Sequence, residues 1–315
     1  MSLKEFSVAL PEKTSTPAEQ LKTPSYSSRI MELQQLEHIA SQVRRDILRM
    51  VSAVNSGHPG GSLGCTDLFV ALYFEVMRKK TDADGKPVFS MDGKDEDLFF
   101  LSNGHISPVF YSVLARSGYF PVSELTTFRK LDSRLQGHPT TAEHLPGVRI
   151  ASGSLGQGLS VAAGAAFAKR LNKDDKQVYV LMGDGEQQEG QVWEAAQFIP
   201  NKKLGNVTAI IDYNLAQIDG TTMGVNDNRD LGAKYRAFGW KVVEMQGNDM
   251  ADIIKTLKDA KYDPEIPTLI LMHTLMGYGV DFMAGNYKWH GTALNPEQMA
   301  NALGQLPVYA GMEDY

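Results

Sequence analysis

The sequence predicts an α/β fold, a parallel sheet flanked by helices on both faces, on three observations. Two short runs rich in Val, Ile and Leu, Val178–Met182 and Val207–Asp212, each stop at a polar turn, Gly183-Asp184-Gly185 and Tyr213-Asn214, as buried parallel strands do. A helical stretch, Val192–Ile199, lies between them and completes a βαβ unit. Further strand and helix candidates alternate on either side, the pattern of a parallel sheet covered on both faces.

Taken in order, Leu33, Leu36, Ile39, Val43, Ile47 and Met50 recur at three- and four-residue steps and predict an amphipathic helix between Ile30 and Ser56. Gly57-His58-Pro59-Gly60-Gly61 breaks it. A second, largely buried helix is expected over Thr66–Arg78, then a short strand, Leu98–Leu101, ended by Ser102-Asn103-Gly104-His105, then a helix over Pro108–Ser117. A loop with Gly137-His138-Pro139 leads to Gly153-Ser154-Leu155-Gly156-Gln157-Gly158, which opens a helix of small residues, Leu159–Leu171. Val242–Met245 and Thr268–His273 are the remaining strands, with a helix near Met250–Ala260 between them. No composition break marks a second domain, so residues 29–315 are expected to form one. Residues 1–28 carry Pro11, Pro17 and Pro24 among Ser, Thr, Lys and Glu, and are expected as a flexible or surface-wrapped tail.

The 315 residues suffice for a substantial core. Thirty-one basic against 37 acidic residues give a net charge of −6 without long single-sign runs, which argues against nucleic acid or an anionic membrane as partner. Cys65 is the only cysteine, so neither an intrachain disulfide nor a cysteine-built metal site is possible. No apolar run approaches the roughly 20 residues of a membrane span, and Met1–Ser28 lacks a hydrophobic signal region. A reducing cytoplasm is the expected location.

Ligands of open α/β sheets collect beyond the carboxyl ends of the strands. Asp184 and Asn214, on consecutive strand ends, offer oxygen ligands to a hard cation such as Mg²⁺, with a backbone carbonyl of the Leu215-Ala216 turn as a third. Gly183 and Gly185 let the backbone approach a phosphate. Each residue alone has a plainer reading, Asp184 as a helix cap and Asn214 as a turn residue; it is their pairing that points to a Mg²⁺-diphosphate site. The chain has no Gly-x-x-x-x-Gly-Lys-Ser/Thr motif, and the Gly153–Gly158 spacing is not that of a dinucleotide fingerprint.

Four of the seven histidines, His58, His105, His138 and His290, stand beside glycine in chain breaks. Proline follows His58 and His138 and holds both out of helical geometry. Their separations include no close pair suited to zinc; hydrogen bonding to phosphate or sugar oxygens, or proton transfer near neutral pH, suits them better. His38, His144 and His273 lack such settings. Glu189 and Glu194 follow the Gly-Asp-Gly turn, where an acidic helix start is one reading and a carboxylate network with shared protons is the other.

Assembled, these residues resemble the thiamine diphosphate enzymes, and most closely the N-terminal half of the transketolases, from about Ser41 to Leu303. The motifs that carry the resemblance are Gly183-Asp184-Gly185 through Asn214, Ser56-Gly57-His58-Pro59-Gly60, Leu101-Ser102-Asn103-Gly104-His105, Gly137-His138-Pro139, Leu155-Gly156-Gln157-Gly158 and His290-Gly291. The resemblance implies that Asp184, Asn214 and the Ala216 carbonyl hold Mg²⁺ (or Ca²⁺ or Mn²⁺ in its place), and that Gly185, His105 and His290 contact the diphosphate. It further implies Gly153 and Leu155 on the thiazolium side, Glu189 in a carboxylate network across a subunit interface with Glu194 in support, and His58, His138 and His290 facing the sugars and handling protons. The implied activity is transfer of a two-carbon ketol unit from a ketose phosphate to an aldose phosphate, as in the pentose phosphate pathway.

The sequence departs from that pattern at Ser154, where proline is common, and at Leu215-Ala216, where Gly-Ile or Gly-Leu is usual. Complete transketolases continue through a pyrimidine-binding domain, which supplies a glutamate that activates the cofactor ring and most of the basic residues that clamp the substrate phosphate. The chain as read is therefore expected to be the N-terminal subunit of a split transketolase, active with a separately encoded C-terminal subunit in an α₂β₂ assembly. The alternatives are a deoxyxylulose-phosphate-synthase-like or other thiamine diphosphate enzyme subunit acting on different sugars, and a non-catalytic scaffold subunit.

Overall fold

The computed structural model describes residues 31–260 and 263–315; the tail expected over residues 1–28 lies outside them. Five parallel strands form the main sheet: β1 (Leu98–Leu101), β2 (Val178–Gly183), β3 (Val207–Tyr213), β6 (Lys241–Gln246) and β7 (Thr268–His273), in the order β1-β2-β3-β7-β6. A two-stranded antiparallel hairpin, β4 (Ala216–Gln217) and β5 (Gly220–Thr221), stands apart beyond the end of β3.

Side chains alternate across the sheet, and the helices sort accordingly. Val178, Val180 and Met182 face one apolar layer with α5 (Gln157–Leu171), α6 (Gly190–Asn201) and α8 (Leu231–Phe238). Tyr179 and Leu181 face the other, with α1 (Leu33–Ala53), α2 (Pro59–Gly64), α3 (Thr66–Ala71), α4 (Ser107–Arg116), α9 (Met250–Asp259) and α10 (Pro296–Gln305). The single turn of α7 (Thr222–Asn226) follows the hairpin. The predicted fold class is thus observed, helices on both faces included. Ala162, Ala163 and Ala166 are buried on α5, where their small size lets the helix lie close to β2 and α6.

Several boundaries differ from the sequence reading for local reasons. The helix expected over Thr66–Arg78 stops at Ala71 and widens into a π turn, Leu72–Val76, closed by the Met77 amide donating to the Leu72 carbonyl at 2.9 Å. The Gly57–Gly61 break is narrower than expected, because Pro59 starts α2 at its first position, where its missing N–H costs nothing.

Candidate active site

Parallel pairing of β2 with β3 sets Gly183 opposite Asp212. The Gly183-Asp184-Gly185 turn therefore lies beside Asp212-Tyr213-Asn214, at the carboxyl edge of the sheet. Asp184 is buried; its Oδ1 accepts from the Gly185 amide at 2.7 Å and its Oδ2 from the Leu215 amide at 2.5 Å. The two readings of Asp184 coexist, since it also caps a short 3₁₀ turn, Gly185–Gln188, while Glu189 stands at the N-cap of α6. Asn214 donates from Nδ2 to Asp212 Oδ2 at 2.9 Å and accepts at Oδ1 from the Ala216 amide at 2.9 Å. Leu215, where the usual pattern has glycine, takes a left-handed turn at φ 60°.

These residues open onto a cavity of about 450 Å³ that also collects the loop histidines. The ring of His58 lies 5.1 Å from that of His105, 5.5 Å from His290 and 6.4 Å from His138, and the rings of His105 and His290 stack at 5.0 Å. Gly153, Leu155, Gly183, Gly185, Glu189 and Ala216 line the same cavity. Gly156 brings Leu155 there through φ 83° at the start of α5, a conformation that favours glycine. Glu194 is exposed on α6 and does not line the cavity within this chain. Of the other histidines, His38 stacks on Tyr309 at 3.5 Å and His273 bonds Glu244 at 2.5 Å.

Two buried carboxylates of the cavity escape the sequence reading. Glu186 accepts from Ser102 Oγ, from the Gly156 amide at 2.6 Å and from the Gly183 amide at 3.0 Å, and so ties three loops together. Its place just after Gly-Asp-Gly is the signal that marks it. Asp212, last of its apolar run, accepts from Thr274 Oγ1 as well as from Asn214; strand periodicity alone marks it as buried.

Electrostatics separates the groups into two sets. Burial, then the neighbouring Asp212, pushes the Asp184 carboxyl up to about 8, and burial also raises Asp212 and Glu186. Burial lowers all four imidazoles. His58 falls to about 4, with His290, Arg129 and His138 adding to the effect; His105 falls well below the usual range. Neutral imidazoles each offer one donor and one acceptor.

The arrangement fits a polar, anionic ligand with a cation. His58 Nδ1, His290 Nδ1, Asn103 Oδ1 and Ser152 Oγ are buried without hydrogen-bond partners, and all four residues line the cavity. Buried polar atoms in that state call for a ligand or water. Two adjacent buried carboxylates call for positive charge. The oxygen donors here are one carboxylate, one amide and backbone, and no cluster of three His, Cys, Asp or Glu suited to a metal exists among the described residues. Such a sparse set suits a cation whose remaining ligands are phosphate and water.

Comparison with known proteins agrees. The family model "Transketolase, thiamine diphosphate binding domain" matches residues 36–310. One of the subunits of an apulose-4-phosphate transketolase from Phocaeicola vulgatus is 38% identical over 276 residues, covering 88% of this chain and 95% of that protein. A 6-deoxy-6-sulfo-D-fructose transketolase subunit of a Clostridium species is 35% identical over 271 residues, covering 86% and 96%. The crystal structure of transketolase from Campylobacter jejuni superposes with a TM-score of 0.79 at 32% identity, over 88% of this chain and 43% of that one. The chain thus spans less than half of the full-length enzyme and nearly all of the subunits. It belongs to the transketolase family and comprises that family's thiamine diphosphate-binding domain.

Proposed function

We propose that this chain is the diphosphate-holding subunit of a two-part transketolase, which moves a two-carbon ketol unit from a ketose phosphate, or a similarly anionic ketose, to an aldose. The observation that carries the reading is the meeting of the Asp184–Asn214 turn with four imidazoles in one cavity. Asp184, Asn214 and the Ala216 carbonyl would hold Mg²⁺, with His105, His290 and the Gly185 backbone on the diphosphate and Gly153 and Leu155 along the thiazolium. When bound, thiamine diphosphate supplies a carbon nucleophile and an electron sink. The chain's own part is to orient it and to move protons at sugar hydroxyls through His58, His138 and His290, which their low basicity keeps neutral and able to accept. Glu189 and Glu194, both exposed here, would meet a neighbouring subunit.

The subunit reading is supported by relatives named as subunits that match this chain over 95% and 96% of their own length. The partner would carry the pyrimidine-binding domain, in an α₂β₂ assembly in the cytoplasm. Among the described residues no helix is long and apolar enough to cross a membrane. The test mixes purified chain, partner chain, thiamine diphosphate and Mg²⁺ with a panel of ketose donors. Ketol transfer should need both chains and the cation; robust transfer by this chain alone would sink the split-subunit reading.

A further inference from the structure

Arg129 lies outside the cavity lining yet touches both loops that present its substrate-facing histidines. Its Nη1 donates to Ser56 Oγ at 2.7 Å, two residues before His58. Its guanidinium also lies against Gly137, one residue before His138, so closely that a Cβ on Gly137 would come within 2.8 Å of it. Only glycine admits that approach. The Gln136–His138 loop is pinned from its other side by α4, where Tyr111 Oη donates to the Gln136 carbonyl at 2.8 Å and Ser107 Oγ to the Gly137 carbonyl at 2.8 Å.

Two features coincide in Arg129, although Arg229 shares its left-handed backbone and the exposed Arg170 and Arg236 also show no acid partner. Its backbone sits in the left-handed region at φ 54°, which is strained for a non-glycine residue and persists only where the surroundings enforce it. Its half-buried guanidinium is matched by no carboxylate among the described residues, and its Nε is buried without a hydrogen-bond partner. Arg44, Arg45, Arg78, Arg116, Arg134 and Arg149 all pair with acids instead.

We propose that Arg129 is a positioning residue that braces the His138 loop against the His58 turn and keeps a fixed positive charge behind both imidazoles. The charge acts on His58 together with His290 and His138, while on His138 it is the charged neighbour that adds to burial. His105 also faces His58, and the carboxylates Asp184, Glu186, Glu189, Asp212 and Asp219 line other parts of the cavity. A histidine held neutral can accept a proton from a sugar hydroxyl; one that has charged cannot.

The inference rests on the reading of His58 and His138 as substrate-facing, but its test does not need turnover. The full chain, with ¹³C-labelled histidines assigned through His58→Asn and His138→Asn, is titrated by NMR. Arg129→Met should raise both midpoints by about 0.5 pH unit or more, because removing a nearby cation eases protonation. Arg129→Lys, which keeps the charge, should leave them near the parent values. Gly137→Ala, which pushes the guanidinium off the loop, should move the His138 midpoint and serves if Arg129→Met does not fold. Folded Arg129→Met, or failing that Gly137→Ala, with the midpoints unmoved would overturn the proposal and leave the transferase reading intact. Absence of ketol transfer with shifted midpoints would do the reverse.

Discussion

Two sets of buried carboxylates in the molecule are treated in opposite ways. Asp46, fully buried on α1, accepts from Arg116 Nε at 2.9 Å and Nη2 at 2.8 Å, from Ser112 Oγ at 2.7 Å and from Gln42 Nε2 at 3.2 Å. Asp184 and Asp212, buried to nearly the same degree at the sheet edge, receive amide and hydroxyl donors but no ion pair from a Lys or Arg of the described residues. The first carboxylate finds its counter-charge within the chain and ties α1 to α4. The second set lacks its counter-charge, and the same cavity holds unpartnered imidazole, amide and hydroxyl atoms. Where the chain satisfies its own charge it builds structure; where it does not, it waits for a ligand.

The sharpest way to break that contrast is to remove one carboxylate from each cluster. Asp46→Ala strips the paired guanidinium of its partner and should cost about 3–5 kcal/mol in denaturant unfolding. Asp184→Asn replaces a carboxyl that burial already holds largely neutral in the unliganded chain, so it breaks no ion pair and should cost that chain about 1 kcal/mol, for one buried amide left without its acceptor. Its effect should instead fall on binding: Mn²⁺ affinity of the assembled complex with thiamine diphosphate, read by electron paramagnetic resonance, should drop by more than the roughly 10–100-fold that loss of a group supporting a metal ligand costs. Equal destabilisation by the two substitutions, or unchanged Mn²⁺ affinity in Asp184→Asn, would dissolve the distinction.

Glu186 lies between the two cases and sharpens the comparison. It sits in the ligand cavity, but its three donors come from the chain, so it should behave more like Asp46 than like Asp184. Glu186→Gln keeps the shape and removes acceptor capacity, which should cost about 1–3 kcal/mol in the unliganded chain. It should also loosen the Gly156 and Gly183 amides, seen as faster hydrogen exchange at both. A variant as stable as the parent would place Glu186 with the ligand-facing groups.

Most of the fold is legible because the apolar runs of β1, β2, β3 and β7 are nearly unbroken and bounded by glycine or polar turns. The elements that sequence reading passes over are short or polar. α8 runs only from Leu231 to Phe238, yet Asp230 caps it by accepting from the Ala233 amide, and Gly239 ends it at φ 100°. α10 is announced by Asn295, Pro296 and Gln298, a full capping box, but its apolar face is thin. The π turn after α3 has no such mark, since packing of Tyr73 against Phe99 and Phe110 is a tertiary matter. In the site, the glycine-flanked histidines are visible as loop residues, but their convergence on one cavity depends on strand order, which spacing does not encode. Glu186 and Asp212 are obscured by neighbours with plainer motifs.

The smallest expected effect concerns the turn between Asp184 and the hairpin. Leu215 is half exposed and left-handed at φ 60°, a conformation that costs an L residue roughly 1–2 kcal/mol. Its amide nevertheless donates to Asp184 Oδ2, and its carbonyl accepts from the Thr222 amide at 3.1 Å. These bonds hold the turn in the shape a glycine would take without strain. Leu215→Gly should therefore relieve the strain but lose part of the gain to the greater freedom of the unfolded chain, for a net rise in stability of at most about 1 kcal/mol. If the turn serves to aim Asp184, cation affinity should stay within a few-fold of the parent. A large fall in affinity with no loss of stability would show instead that the exposed leucine side chain itself takes part in closing the cavity, and the departure from glycine would then be functional rather than tolerated.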